Sequence, residues 1–289
     1  MTTNIAKNTK PNKATNKSKF KVSHCITSII GVIMALIFLS PFYIIIVNAF
    51  KTKAQLFQST LALPKSLIVD NFKDAYKELD FFNSLFHSLL ITIVSVILII
   101  IVSSMAAWAL ERTKSKVSNF ILMLFVAAMI IPFQAVMLPL IRLMGKLHFL
   151  NMPGLMFMYV GFGCSMSIFL YHGFLKSIPA ELDEAATLDG CSKFQTFWYI
   201  IFPLLKPMSV TVSVLNVVWI WNDYLLPSLV INKPNTMTIP LKTFFFFGEY
   251  TKQWNLALAG LILDIIPVII FYFFAQKHII KSVTAGSIK

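Results

Sequence analysis

Four stretches of this chain, residues 22–50, 81–110, 117–141 and 147–175, contain no aspartate, glutamate, lysine or arginine. Each exceeds the roughly 20 residues a helix needs to cross a hydrocarbon layer of about 30 Å. Residues 207–231 and 253–276 are also long enough, each with one acid, Asp223 and Asp264. In lipid every backbone N–H and C=O must find a partner within the protein, which leaves helices or closed barrels, and continuous apolar runs of this length read as helices. The expectation is an all-α membrane protein with six transmembrane helices. Only 13% of the residues are charged, against roughly 25% in a soluble domain.

The formal net charge is +13, which raises the question of nucleic acid. Its distribution answers it. With the N-terminus inside, most of the lysines and arginines fall in the cytoplasmic segments: the tail, Arg112/Lys114/Lys116, Lys176/Lys193/Lys206 and Lys277/Lys281/Lys289. Positive charge collects on that side of membrane proteins, so both termini are expected in the cytoplasm and no nucleic-acid partner is expected. The first apolar run is longer than the ~7–15 residues of a signal-peptide core and lacks a small-residue cleavage site after it. Cys25, Cys164 and Cys191 lie in or beside different segments without C-x-x-C spacing, so neither a disulfide framework nor a metal site is expected.

Along the chain, residues 1–21 are polar and lysine-rich and read as a disordered cytoplasmic tail. Residues 22–80 hold the first span and an outer loop, in which the segment from Asn71 to Leu79 has the periodicity of a short interfacial helix. Residues 81–280 form the core, with a cytoplasmic loop at 176–206, and 281–289 are a C-terminal tail. The third span contains Pro132 and Pro139 with Gln134 between them, a kinked helix that faces protein or water. The fourth carries Gly154, Gly161, Gly163, Ser165, Ser167 and Gly173, small residues that let backbones approach closely and place it inside the bundle.

The loop at 176–206 is the one long charged interruption in the second half. It reads as two short helices hinged at Gly190. Glu181 and Asp183 complement the positive end of the first helix dipole, and Gly190 supplies a left-handed residue that ends it. Ser192 and Gln195 then make a capping-box pattern, followed by Phe194, Phe197, Trp198 and Ile201 at helical spacing. Pro203 and Pro207 mark the return to the membrane. By spacing alone, an ordinary amphipathic linker on the membrane surface is equally compatible.

The residues Glu184-Ala185-Ala186, Asp189-Gly190, Ile200, Pro203-Leu204 and Pro207 resemble the signature cytoplasmic loop of binding-protein-dependent ABC importer permeases. Asn48-Ala49-Phe50-Lys51-Thr52, Pro132-Phe133-Gln134-Ala135, Gly161-Phe162-Gly163, Trp221-Asn222-Asp223-Tyr224 and Thr284-Ala285-Gly286 are similar to the carbohydrate branch, most of all to the maltose-type second permease. The resemblance covers nearly the whole chain. It implies the type I ABC importer permease fold in a bacterial cell membrane. The implied partners are a second homologous permease, two ATP-binding subunits, an extracellular solute-binding protein and a carbohydrate substrate. It further implies that Glu184, Ala185, Ala186, Asp189, Gly190 and Pro203 couple the chain to the ATPase. The tail ends Gly286-Ser287-Ile288-Lys289, a departure from the family pattern, so an ATPase contact by that tail is only weakly implied.

The chain has no G-x-x-x-x-G-K-[ST] phosphate loop, so ATP hydrolysis is assigned to a partner. No catalytic residue, metal site or cofactor is expected. Asp264, an acid inside the sixth span, is a candidate for the substrate path by default, with an interhelical hydrogen bond as the competing reading. Two alternatives stand beside a sugar permease. One is an ABC permease for another small solute, such as glycerol phosphate or a polyol. The other is a proton-coupled carrier or membrane enzyme using Asp264 with His87, His148 or His172.

Overall fold

The computed structural model describes residues 15–246 and 253–287, and all regular structure among them is helical. Helix α1 (Thr15–Ala49) begins inside the stretch 1–21 expected to be an unstructured tail; residues 1–14 lie outside the described residues. It is followed by α2 (Lys53–Gln58), α3 (Asp70–Glu78), α4 (Phe81–Thr113), α5 (Lys116–Ile130), α6 (Phe133–Lys146) and α7 (Met152–Leu175). Then come α8 (Glu181–Leu188), α9 (Lys193–Gln195), a π-helical turn (Thr196–Ile201), α10 (Phe202–Leu204), α11 (Lys206–Trp221), α12 (Leu225–Val230), α13 (Ile239–Phe245) and α14 (Trp254–Ser287). Helix α3 occupies the place of the expected interfacial helix, and α14 runs into the segment 281–289 expected to be a tail.

Among the described residues, four helical segments are long and apolar enough to cross a membrane by themselves: Ile26–Ala49, Phe81–Thr113, Met152–Leu175 and Trp254–Phe274. Two further spans are each a bent pair, Lys116–Ile130 with Phe133–Lys146 at 104°, and Lys193–Leu204 with Lys206–Trp221 at 75°. Counting each pair once gives the six expected spans. The third was expected as one kinked helix and is instead an elbow. Its cause is local: Ile131, which precedes Pro132, is driven to extended φ/ψ (−75°, 116°), as residues before proline are. Pro132 itself is extended and starts α6, while Pro139 is carried inside α6. The fifth span also differs from the expected 207–231. Helix α11 stops at Trp221, and its apolar length is completed on the other side by the 193–204 rod.

The centre of the bundle is the α4–α7 pair, the most extensive helix contact among the described residues. Helix α4 offers a stripe of small polar residues, with Ser84, Ser88, Thr92, Ser95, Ser103 and Ser104 buried. Helix α7 answers with Tyr159, Gly163, Ser167, Ile168 and Tyr171. The approach is tightest at Gly163, where an added Cβ would lie 2.5 Å from Ile99 Cδ1 and 2.8 Å from Asn216 Oδ1. Gly161 and Gly173 have nothing within 4 Å of that position, so the density of small residues in α7 marks a close contact at only part of its length.

At the other end of α1 a polar knot joins α1, α3 and α14. Lys51, 1% exposed, donates from Nζ to Asn48 Oδ1 and to the Ser59 carbonyl, both at 2.9 Å. Asn71 donates to the carbonyls of Ala49 and Lys51, each at 2.8 Å, and its Oδ1 accepts Asn255 Nδ2 at 2.8 Å. Among the described residues Lys51 has no carboxylate partner; it sits just past the C-terminus of α1, where helix carbonyls favour a cation. From Ile26 to Ile46 the described side chains of α1 are exposed or half-exposed, as befits a helix surrounded by lipid or a partner chain.

Candidate functional site

The loop at 176–206 is held by two side chains of α4, Trp108 and Arg112. Asp183, in the first turn of α8, accepts Trp108 Nε1 at 2.8 Å on one oxygen and Arg112 Nε at 2.8 Å on the other. Arg112 also donates through Nη2 to the carbonyls of Ile178 at 3.2 Å and Pro179 at 3.4 Å. One turn away, His172 Nε2 of α7 lies 2.9 Å from Glu111 Oε2. A half-buried carboxylate is costly unless paired and hydrogen-bonded, and Asp183 is both. Trp108 serves twice, because its ring also packs on Phe197 with centroids 5.5 Å apart. Both arms of the loop are therefore fixed to the same turn of α4.

Within the loop the chain reverses at Gly190, which has φ +81°. Cys191 N–H bonds to Ala186 O at 2.9 Å and Gly190 N–H to Thr187 O at 3.1 Å. These are the two bonds of a Schellman motif, which needs a left-handed residue at this position. The capping box forms as expected: Ser192 Oγ accepts Gln195 N–H and Gln195 Oε1 accepts Ser192 N–H. The following rod departs from regular α spacing. Its turn over Thr196–Ile201 is π-helical, with Phe202 N–H bonded to Phe197 O. Pro203 has no N–H to give an α-helical bond, and a widened turn before it accommodates that loss. Phe197, Ile201 and Leu205 point inward, at 1%, 0% and 0% exposure, while Phe194, expected on the same face, is 64% exposed.

The residues implied as ATPase-coupling are not all on one surface. Glu184, Ala185, Asp189, Gly190 and Pro203 are exposed, with Leu188 at the tip 89% exposed. Ala186 is 2% exposed and packs α8 onto its own bundle. Asp183, Trp108 and Arg112, which fix the loop, were missed by sequence reasoning. An acid in a loop and an arginine about seventy residues earlier carry no shared periodicity, and only the fold brings them together.

A second feature lies in the membrane-spanning part. The α5–α6 elbow, α7 and α11 line an open pocket of about 660 Å³. Its wall is aliphatic and aromatic, with Phe133, Phe162 and Trp219 among the lining residues and Ser165 and Asn216 as the polar side chains. Asn216 donates through Nδ2 to Ser167 Oγ at 3.1 Å and to Val212 O at 2.8 Å. Near its rim Tyr159 donates to Asp223 Oδ2 at 2.9 Å, and Asp223 Oδ1 accepts the Leu225 N–H that opens α12.

Asp264, the candidate for the substrate path, is 8% exposed and accepts Trp221 Nε1 at 3.2 Å. It joins α11 to α14 and is absent from the wall of the large cavity. Of the histidines grouped with it, His172 is paired with Glu111 instead. Among the described residues no three His, Cys, Asp or Glu side chains cluster as a metal site.

With this geometry in view, comparison with known proteins is specific. Residues 99–285 match the family model described as the binding-protein-dependent transport system inner membrane component. The chain is 53% identical over 271 residues to the probable starch degradation products transport system permease protein AmyC of Thermoanaerobacterium thermosulfurigenes, covering 94% of this chain and 99% of that one. It is 32% identical to the multiple sugar-binding transport system permease protein MsmG of Streptococcus mutans (94% and 100% covered), and 31% identical to the melibiose/raffinose/stachyose import permease protein MelC of Bacillus subtilis (91% and 96%). A chain in the crystal structure of a bacterial ABC transporter involved in import of the acidic polysaccharide alginate superposes with a TM-score of 0.74, at 24% identity, over 93% of this chain and 99% of that one.

Proposed function

The chain belongs to the binding-protein-dependent transport system inner membrane component family, and we propose that it is the permease subunit of an ATP-driven importer of oligosaccharides. It is a multi-pass membrane protein and a transport component. The starch-product, multiple-sugar and raffinose-type permeases it is similar to favour starch-derived oligosaccharides as cargo.

In this reading the chain forms half of the translocation pathway. A second, homologous permease forms the other half, two ATP-binding subunits sit below, and an extracellular sugar-binding protein delivers cargo from above. Both termini and the loop at 176–206 face the cytoplasm. Closure of the ATPase dimer moves the knob formed by Glu184, Ala185, Leu188, Asp189 and Gly190. The observation that carries this is the brace beneath the knob: α8 is tied through Asp183 to Arg112 and Trp108, and the rod is tied through Phe197 to the same tryptophan. A push on the tip is thereby delivered to α4, the helix at the centre of the bundle, and a rigid-body rocking of the bundle gives alternating access.

The test is to express the chain with its second permease and ATPase, purify the complex and reconstitute it. ATP hydrolysis stimulated by the sugar-loaded binding protein, with uptake of maltotriose or longer glucans, is expected. A chain that assembles with no ATPase, or whose complex hydrolyses ATP without any response to loaded binding protein, would overturn the reading.

A further inference from the structure

The chain between α2 and α3 carries leucines that the described bundle leaves uncovered. Phe57, Leu61, Leu63 and Leu67 are 65%, 64%, 72% and 70% exposed. Single exposed apolar side chains are ordinary, whereas a group of them marks a contact with a membrane, a ligand or another protein.

The backbone around them runs back along α1 and not away from it. Lys51 Nζ donates to the Ser59 carbonyl at 2.9 Å, Asn48 Nδ2 to the Thr60 carbonyl at 2.8 Å, and Tyr43 Oη to the Leu61 carbonyl at 2.9 Å. Asn48 and Tyr43 are separated along α1 by about 7.5 Å, at 1.5 Å of rise per residue. The segment therefore descends beside the apolar run 22–50. It comes back up by Ile68, whose N–H bonds to the Phe50 carbonyl at 3.0 Å. Pro64 lies between the two limbs.

The hydrogen bonding of this dip suits a place where water is scarce. Three consecutive carbonyls, of Ser59, Thr60 and Leu61, each take a side-chain donor from α1 or from Lys51 just past it, and Ser59 Oγ accepts the Ala62 N–H at 3.2 Å. Water would satisfy such groups unaided, but irregular backbone near the hydrocarbon depends on the protein for its partners. The charges point to lipid over a protein neighbour. Lys53 and Lys65 are exposed and stand outside every ion pair among the described residues. Phospholipid phosphates complement them, and a lysine stem can lie along apolar surface with its ammonium at headgroup level. Tyrosine is enriched at that same level, and the exposed face of α1 from Ile26 to Ile46 continues below it.

We propose that residues 57–67 form a lipid-binding dip seated in the headgroup–acyl boundary of the outer leaflet. Leu61 and Leu63 enter among the acyl chains, and Lys65 reaches the phosphates. The inference rests on α1 being a membrane span, and takes from the cytoplasmic N-terminus proposed above only the choice of leaflet; it is independent of the cargo.

The test uses the full complex in phosphatidylethanolamine–phosphatidylglycerol vesicles, with Cys25→Ala, Cys164→Ala and Cys191→Ala and a nitroxide on a single new cysteine. Leu61→Cys and Leu63→Cys are compared with Asp74→Cys, on the exposed side of α3, as the aqueous reference. Power saturation reads collisions with oxygen, which concentrates in acyl chains, and with a neutral nickel chelate, which stays in water. The oxygen-to-nickel ratio at positions 61 and 63 is expected to exceed that at position 74 at least fivefold. An equal ratio places the segment in water and overturns the proposal. So does poor access of both reagents, which means that a protein covers it. Leu63→Trp, in the chain that keeps its three cysteines, gives a second reading: the emission it adds is expected to fall at least twofold in brominated phospholipid, and no fall would overturn the proposal. Labelling of Asp74→Cys in intact cells by a membrane-impermeant maleimide supports the outer leaflet. Failure to label, with the high ratio retained, would overturn that leaflet together with the cytoplasmic N-terminus.

Discussion

Arg112 and Asp183 meet Nε to Oδ2 at 2.8 Å, with side-chain exposures of 16% and 18%, across the only ion pair among the described residues that joins α4 to the loop. The pair is partly shielded, so it is worth more than a surface salt bridge. Charge-assisted hydrogen bonds contribute about 1.5–3 kcal/mol. Arg112→Ala is expected to leave insertion intact and to cut both uptake and binding-protein-stimulated ATP hydrolysis at least tenfold. Arg112→Lys is expected to fall between, because an ammonium cannot reach Asp183 and the Ile178 and Pro179 carbonyls with the same planar fork. Parallel uptake and ATPase assays on reconstituted complexes check this; full coupling in Arg112→Ala would show that the brace transmits nothing.

Gly190 makes a separate prediction, because its constraint is conformational. Its φ is +81° and a Cβ placed on it meets nothing within 4 Å. Bulk by itself therefore has room in this chain. The penalty lies in the left-handed backbone, about 1–2 kcal/mol for an ordinary L-residue and less for asparagine. The expected order of uptake is Gly ≥ Asn > Ala > Val, with Gly190→Pro inactive because its ring holds φ near −65°. If the series instead follows side-chain volume, with Asn as poor as Val, the contact that matters is a partner's surface and not the turn.

Much of this architecture is legible in the sequence because lipid imposes long uninterrupted apolar runs. The positions of the first, second, fourth and sixth spans and the capped, glycine-hinged loop follow from local rules. What local rules miss is long-range. Pro132 reads in the sequence as a kink within one helix, and the full 104° bend is not given by the proline alone. Lys51 looks like an ordinary loop lysine, and its burial follows from Asn48 and Ser59 closing over it. The burial of Ala186 and the exposure of Phe194 depend on how α8 and the rod dock, which helical periodicity does not anticipate. The Asp183 brace and the cavity at Asn216 are products of tertiary packing alone.

The α4–α7 interface gives a stability prediction. A methyl at position 163 would overlap Ile99 Cδ1 at 2.5 Å and crowd Asn216 Oδ1 at 2.8 Å. Overpacking of this kind costs typically about 1–3 kcal/mol, with Ile99 able to relieve part of it by a rotamer change. Gly163→Ala is expected to lower the melting temperature of the detergent-solubilised complex by several degrees. Gly173→Ala, with open space around it, is expected to leave it unchanged or slightly raised, since alanine is the better helix former. Equal melting of the two variants would mean that the two helices do not approach as closely as described.

Asp264 and Trp221 supply the sharpest separation between structure and transport. The carboxylate accepts the indole N–H at 3.2 Å and ties α11 to α14, away from the cavity wall. Asp264→Asn keeps an acceptor oxygen in the same place, so uptake rate and sugar preference are expected to stay within about twofold of wild type. Asp264→Leu removes the acceptor and strands a buried N–H, at a cost of about 1–3 kcal/mol, and is expected to lower thermal stability and yield. If the residue only holds helices, its surviving protein is expected to keep the wild-type ratio of maltopentaose to maltose uptake. A proton-coupled carrier would behave differently. There Asp264→Asn would abolish uptake while leaving stability untouched, since the amide keeps the hydrogen bond and loses only the titrating proton. Measuring melting temperature and uptake on the same Asn and Leu preparations therefore assigns Asp264 to one role or the other.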